Sequence, residues 1–261
     1  MIISAYTTKG GAAKTTSVVT LLSALAQYNA ANPESPLKVL ALDLDGVQAS
    51  LTKFSLLRNT MGRPDYGIVF ESYKVTDFDS GMLVERAKTF DIILIDIPGF
   101  FDAKTLRTVC LSNVVMVPTN LSVVEFAEAN DSLNRLTTLR NELNIPGMQG
   151  LFINRTEPVM NMTARFSKVL FQQMLESGHS VYNAKLTRYG VYQQQLDYGA
   201  YLFEMEEDGG KGVVKAMLEA AQTLKAVMAF DTVNYDPSKP LTFYLNSLGT
   251  EESQNAEEAT A

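Results

Sequence analysis

The chain is punctuated by short runs that are apolar at nearly every position rather than at every second one. They are MIISAY at the start, LKVLAL (37–42), FDIILID (90–96), NVVMVP (113–118) and GLFIN (150–154), with HSVYNAKL (179–186) as a weaker sixth. Their length and β-branched content read as strands, and the lack of polar alternation means that both faces of each strand are covered. KTTSVVTLLSALAQY, directly after the first run, places apolar residues at helical spacing, as do residues 49–59, 80–88, 102–109, 121–143, 162–176 and 211–229. Strands alternating with helices specify an α/β domain, doubly wound, with a mostly parallel sheet and helices on both faces. Ligands of such sheets bind where the strands end. Here the runs end at Thr8 to Thr16, at Asp43 and Asp45, at Asp96, at Pro118 and at Asn154, so the residues with chemistry gather at one edge.

With 46% hydrophobic residues in 261, residues 1–230 can build one large domain with a substantial core. Residues 231–261 differ: a proline-containing turn segment, the apolar patch LTFYLNSL (241–248) and the acidic GTEESQNAEEATA read as an extension, disordered from about residue 250 on its composition. The single cysteine, Cys110, excludes a disulfide framework and reads as a small core residue. No apolar run is long enough to span a bilayer and no signal-peptide layout opens the chain, so a cytoplasmic protein is expected. The net charge of −7 argues against a surface coated for nucleic acid and leaves room only for a local basic patch.

The residues between the first strand and the first helix are TKGGAAKTT (8–16). A strand, a glycine-rich turn, a lysine, a threonine and a helix form the phosphate-binding arrangement in which backbone amides cradle phosphates, the lysine reaches their oxygens and the threonine hydroxyl holds Mg²⁺. The general pattern G-x-x-x-x-G-K-[ST] fails here, because Thr8 and Ala13 stand where it wants glycine. KGGAAKTT instead resembles the deviant Walker A motif K-G-G-x-G-K-T-[TS] of the ParA/MinD family of ATPases, with Ala13 as its one departure. In order along the chain, ALDLDGVQAS resembles that family's D-x-D-P-Q-G-[NS] segment, FDIILIDIPGF its Walker B strand, VVMVPTNLSVVEFAEA its strand, proline and long helix, and INRT its adenine-side strand end. The stretch from LTRYGVYQQQLDYGAYLFE to GGKGVVKAMLEAAQTL is similar to the closing region of small, ParF-like plasmid-partition ParA proteins.

The resemblance implies a weak, partner-stimulated ATPase that binds ATP and Mg²⁺ through Gly10, Gly11, Ala12, Ala13, Lys14, Thr15, Thr16 and Asn154. It implies a metal shell from Thr15, Asp45 and Asp96, and catalysis by Lys9, Lys14 and Asp45, with Lys9 reaching the nucleotide of a partner subunit. It further implies an ATP-dependent homodimer, nonspecific DNA contacts through Lys185, Arg188, Lys211 and Lys215, and a ParB-like adaptor on a plasmid cargo. Since the first residues already read as strand, no operator-reading helix-turn-helix is expected ahead of them. A conjugation or organelle-positioning relative would share every motif. A hydrolysis-impaired nucleotide-binding adaptor is the alternative that Ala13 raises, and the residue inserted at Gly46–Val47 bears on the placement of Asp45. At negative φ alanine is tolerated in the loop, and Ala13→Gly would then lower the stability of the nucleotide-free chain. A membrane switch needs a basic amphipathic terminal helix, which the acidic end does not offer.

Plainer readings stand beside these. Asp43 either caps the turn after its strand or serves the metal, and Asn154 either contacts the base or forms a turn. Lys211 and Lys215 share a helix face that is solvated in any case. His179, the one histidine, has no partner cluster, and Glu125 and Glu128 read as the solvated face of the long helix.

Overall fold

In the computed structural model, which describes residues 1–46, 48–99, 103–145, 147–156 and 165–229 (backbone alone at 155–156, 165–168, 206–209 and 229), seven strands form one sheet. They are β1 (Ile2–Ala5), β2 (Val39–Asp43), β3 (Ile68–Ser72), β4 (Ile92–Asp96), β5 (Val114–Thr119), β6 (Met148–Thr156) and β7 (Ser180–Thr187). Their order is β3-β2-β4-β1-β5-β6-β7 and every pairing is parallel. The chain winds outward from β1 to β3, returns to β4 beside β1, and winds the other way to β7. This is a doubly wound α/β fold, as the covered apolar runs predict.

The helices between the strands are α1 (Lys14–Ala31), α2 (Ser50–Thr60), α3 (Ser80–Ala87), α4 (Ala103–Cys110), α5 (Val123–Leu143), α6 (Arg165–Glu176), α7 (Gly190–Tyr198) and α8 (Glu206–Ala229). A 3-10 turn, Leu202–Met205, precedes α8. The continuous apolar runs are explained by two cores. Ile3, Ala41, Leu94 and Met116 point to the face covered by α1, α2, α7 and α8, whereas Leu40, Ile93, Ile95 and Val115 point to the face covered by α3 to α6. Cys110 is buried in the second core.

Two elements are additions to the sequence reading. β3 is an outer strand on which only Ile68 is buried, so it lacks the apolar run that marks a covered strand. α7 carries only Val191, Tyr192 and Gln195 inward, too few for a helical stripe. Within α8, Gly210 has non-helical backbone, and the regular helix begins after it, as the spacing over 211–229 predicts. The extension 231–261, Val47 and residue 102 lie outside the described residues. Among the described residues, no helix is long and apolar enough to cross a membrane.

Candidate functional site

Three adjacent strands deliver the candidate site. Asp43 at the end of β2 pairs in register with Asp96 at the end of β4, and Asp96 pairs with Ala5 at the end of β1. The loop from Thr8 to Lys14 leaves β1 and turns over these ends into α1. Gly11 (φ +71) and Ala13 (φ +62) hold left-handed backbone, free for glycine and strained for alanine. Ala13 is the N-cap of α1 and has no side-chain oxygen to accept from the first turn, so the helix N-terminus keeps its amides for an anion. Gly99 closes the loop from the β4 side. A β-carbon there would lie 3.0 Å from the Gly10 Cα and 3.1 Å from the Lys14 Nζ, so only glycine lets the two segments approach.

Lys14 is buried, and its Nζ donates to the Lys9 carbonyl oxygen at 3.1 Å. Burial lowers its pKa, against the raising effect of Asp96 and Asp45. The Thr15 Oγ1 donates to the Asp96 Oδ2 at 2.6 Å. Burial pushes the Asp96 carboxyl up to about 7; the Thr15 hydrogen bond opposes this, Asp43 adds to it, Lys14 opposes it and Asp45 adds least. The other oxygen, Oδ1, is buried without a hydrogen-bond partner. Such an orphan is costly, and a hard cation relieves it. A threonine hydroxyl beside one carboxylate, with phosphate and water completing the shell, is the donor set magnesium takes in nucleotide sites. These residues fit a magnesium nucleotide. Among the described residues no group of three or more His, Cys, Asp or Glu is placed to hold a metal.

The two aspartates after β2 separate in role. The Asp43 Oδ1 accepts from the Asp45 amide at 2.9 Å, and its Oδ2 accepts from the Thr52 amide at 2.8 Å and the Thr52 Oγ1 at 2.7 Å. It therefore caps α2 in place of Ala49, the N-cap, which has no side-chain acceptor and is itself left-handed at φ +47. Asp45 closes the inserted loop: its carbonyl accepts from the Ala49 amide at 2.7 Å and its Oδ1 from the Gln48 amide at 3.1 Å. The Gln48 and Ala49 amides thus turn back onto Asp45, which stays partly exposed at the strand end.

The long helix α5 grips the start of the loop. The Lys9 Nζ pairs with the Glu125 Oε1 at 3.4 Å, with side chains 33% and 13% exposed. Two turns along, the Ser132 Oγ lies 3.4 Å from the Thr8 amide, which donates to it, and 3.5 Å from the Thr8 Oγ1. Glu125 is therefore not part of a solvated face, whereas Glu128 is exposed as expected. The sequence missed this contact because it depends on β5 lying next to β1, which no local spacing encodes. Asn154, buried at the end of β6, donates to the Ser17 Oγ at 3.1 Å and so sits under the first turn of α1.

The four basic candidates are exposed and adjoin one another in part. Glu219 on α8 accepts from the Thr187 amide at 2.8 Å, which brings the end of β7, carrying Lys185 and Arg188, against α8 one turn from Lys215. Lys211 follows one turn further away. Lys185 also lies on an outer strand, where lysine discourages pairing with other chains.

The fold and loop together define a class: doubly wound α/β proteins with a glycine-rich loop between the first strand and the first helix. No family model matches the chain, and no curated protein does. Solved structures match over most of their length. Cyanothece McdA without nucleotide is similar at TM-score 0.64 and 18% identity, covering 85% of this chain and 98% of that one. A protein assigned to plasmid partition from Borrelia burgdorferi B31, bound to AMPPNP, gives 0.56 and 20%, covering 83% and 98%. The septum site-determining protein MinD from Pyrococcus horikoshii OT3, complexed with Mg-ADP, gives 0.60 and 17%, covering 87% and 95%. At these identities the likeness establishes the fold.

Proposed function

We propose that this chain is a nucleotide-operated switch of the ParA type. It binds ATP with Mg²⁺, pairs with a second copy around two nucleotides, and in that state binds DNA nonspecifically to partition or position plasmid DNA with a ParB-like adaptor in the cytoplasm. The observation that carries this reading is the buried Asp96 Oδ1 without a donor, beside the Thr15 hydroxyl, at the mouth of a loop whose helix N-terminus is uncapped. ATP in a complex of Cyanothece McdA and Mg-ADP in the Pyrococcus MinD support the same ligands here.

Thr15 and Asp96 would hold the metal, which when bound offsets charge on the phosphate oxygens. The loop amides from Gly10 to Thr16 orient the phosphates, and Lys14 neutralises them from within the subunit. Asp45, at the end of β2, positions the attacking water, and Lys9 adds its charge to the nucleotide of the partner. Asn154, behind Ser17, bounds the base side of the site. Phosphate contacts summed over Lys185, Arg188, Lys211 and Lys215 in two subunits give DNA affinity to the dimer despite the acidic total. The positive φ of Ala13 favours a second reading, a nucleotide-binding adaptor with impaired hydrolysis.

Sedimentation with and without ATP and Mg²⁺ tests the switch. The protein should shift from monomer to dimer, Lys14→Ala should lose the nucleotide, and Lys9→Ala should keep it but fail to dimerise. Asp45→Ala should hold the dimer by blocking turnover, whereas a wild-type dimer that persists with no turnover supports the adaptor instead. Lys211→Glu with Lys215→Glu should weaken DNA binding on all sequences alike and flatten its salt dependence. An unchanged salt slope removes those residues from the DNA surface.

A further inference from the structure

We infer that Glu125 is a positioning residue that holds Lys9 inside its own subunit until nucleotide and a second copy draw it across. The inference rests on the switch reading above, since it concerns what the cross-subunit lysine does beforehand. In the single chain the Lys9 ammonium is already engaged, 3.4 Å from a carboxylate that exposes only 13% of its side chain. The contact is part of a two-point grip. Glu125 and Ser132 lie seven residues apart, on one face of α5, and meet the successive loop residues Lys9 and Thr8. The loop's entrance is therefore fixed to α5, while the rest of the loop faces the phosphate site through Gly10, Gly11 and Lys14.

A lysine cannot serve the partner's nucleotide and Glu125 at once. Pairing in trans must replace pairing in cis, so Glu125 sets a threshold against dimerisation at low ATP or low protein concentration. A partly exposed ion pair shifts such an exchange by up to about five-fold. Two subunits each give up one pair, so the dimerisation constant should move by the square of that factor, up to about 25-fold.

The test uses the full chain carrying Glu125→Gln, which keeps the shape and removes the charge, with Glu128→Gln one turn along as the charge-matched control. Two quantities are measured: the protein concentration at half dimer in saturating ATP and Mg²⁺, and the rate at which an acylating reagent labels the Lys9 amine in nucleotide-free protein, read by peptide mass spectrometry. Glu125→Gln should lower the half-dimer concentration several-fold and speed Lys9 labelling, with labelling of Lys14 and monomer affinity for ATP unchanged. Glu128→Gln should move neither quantity. A wild type that dimerises with ATP and a Glu125→Gln variant with the same half-dimer point overturn the inference and leave the switch reading intact. A wild type that stays monomeric with ATP overturns the switch reading itself, and the labelling rate then still decides whether Glu125 restrains Lys9. Equal effects of Glu125→Gln and Glu128→Gln would reduce the contact to general charge and overturn its positioning role.

Discussion

At φ +62 the methyl group of Ala13 meets its own backbone, at a cost of about 1–2 kcal/mol against glycine. Ala13→Gly should therefore raise the stability of the nucleotide-free protein by about 1 kcal/mol, after allowance for the freer unfolded chain. This is the opposite sign to the one the residue type alone implies, because the backbone angle is not written in the letter A. The same change should tighten ATP binding, and a urea titration beside calorimetry reads both. Lower stability in the glycine variant would mean that the loop does not hold the left-handed turn in solution. Asp96 makes a second prediction. Its carboxyl ionises near 3.8 in an open chain and at about 7 in the fold. Between those values the folded state keeps a proton that the unfolded state has lost, so stability declines as pH rises through that window and levels above it. Asp96→Asn removes the penalty: its gain in melting temperature over wild type should be small near about pH 4 and reach a plateau above about pH 7. A gap that is constant with pH would show that the carboxyl ionises normally in the fold.

The helix that follows the inserted loop is fastened at both ends. Asp43 caps the first turn of α2, and Arg58 in its last turn forks onto Glu204 at 2.8 and 3.2 Å, donates to the carbonyls of Gly199 and Pro64, and lies 3.6 Å from the centroid of the Tyr201 ring. Without Arg58, Glu204 keeps only Arg63 at 3.6 Å and the Tyr201 amide at 2.7 Å, so the loss falls toward the lower end of the about 3–5 kcal/mol of a broken buried pair. Arg58→Ala should lose about that much in denaturant unfolding, and Arg58→Lys most of it, because an ammonium cannot reproduce the planar fork. A loss confined to a few tenths of a kcal/mol would show that the clasp is not formed. None of this was legible in the sequence, since Arg58 and Glu204 are 146 residues apart and each looks like an ordinary surface charge. The covered strands were legible because burial on both faces leaves an uninterrupted apolar run. β3 was not, since an outer strand needs little burial and shows none of that signal.

Much of the layout of the candidate site is legible in the sequence, because a parallel sheet delivers all its strand ends to one edge and the covered runs end here in charged or loop-forming residues. What could not be read is which helix stands over that edge. Glu125 reaches Lys9 only because β5 pairs with β1, a fact of strand order rather than of spacing. The same order has a consequence for how the protein is made. β1 and β2 are consecutive in the chain yet never touch, since β4 lies between them. A chain emerging from the ribosome carries the complete phosphate loop long before Ile92–Asp96 exists, and until then its first two strands have no common neighbour to join. Parallel pairings across such separations form slowly. The loop that leaves β1 is therefore seated only once β4 has joined β1, and the strand ends around it cannot come together before the sheet has closed.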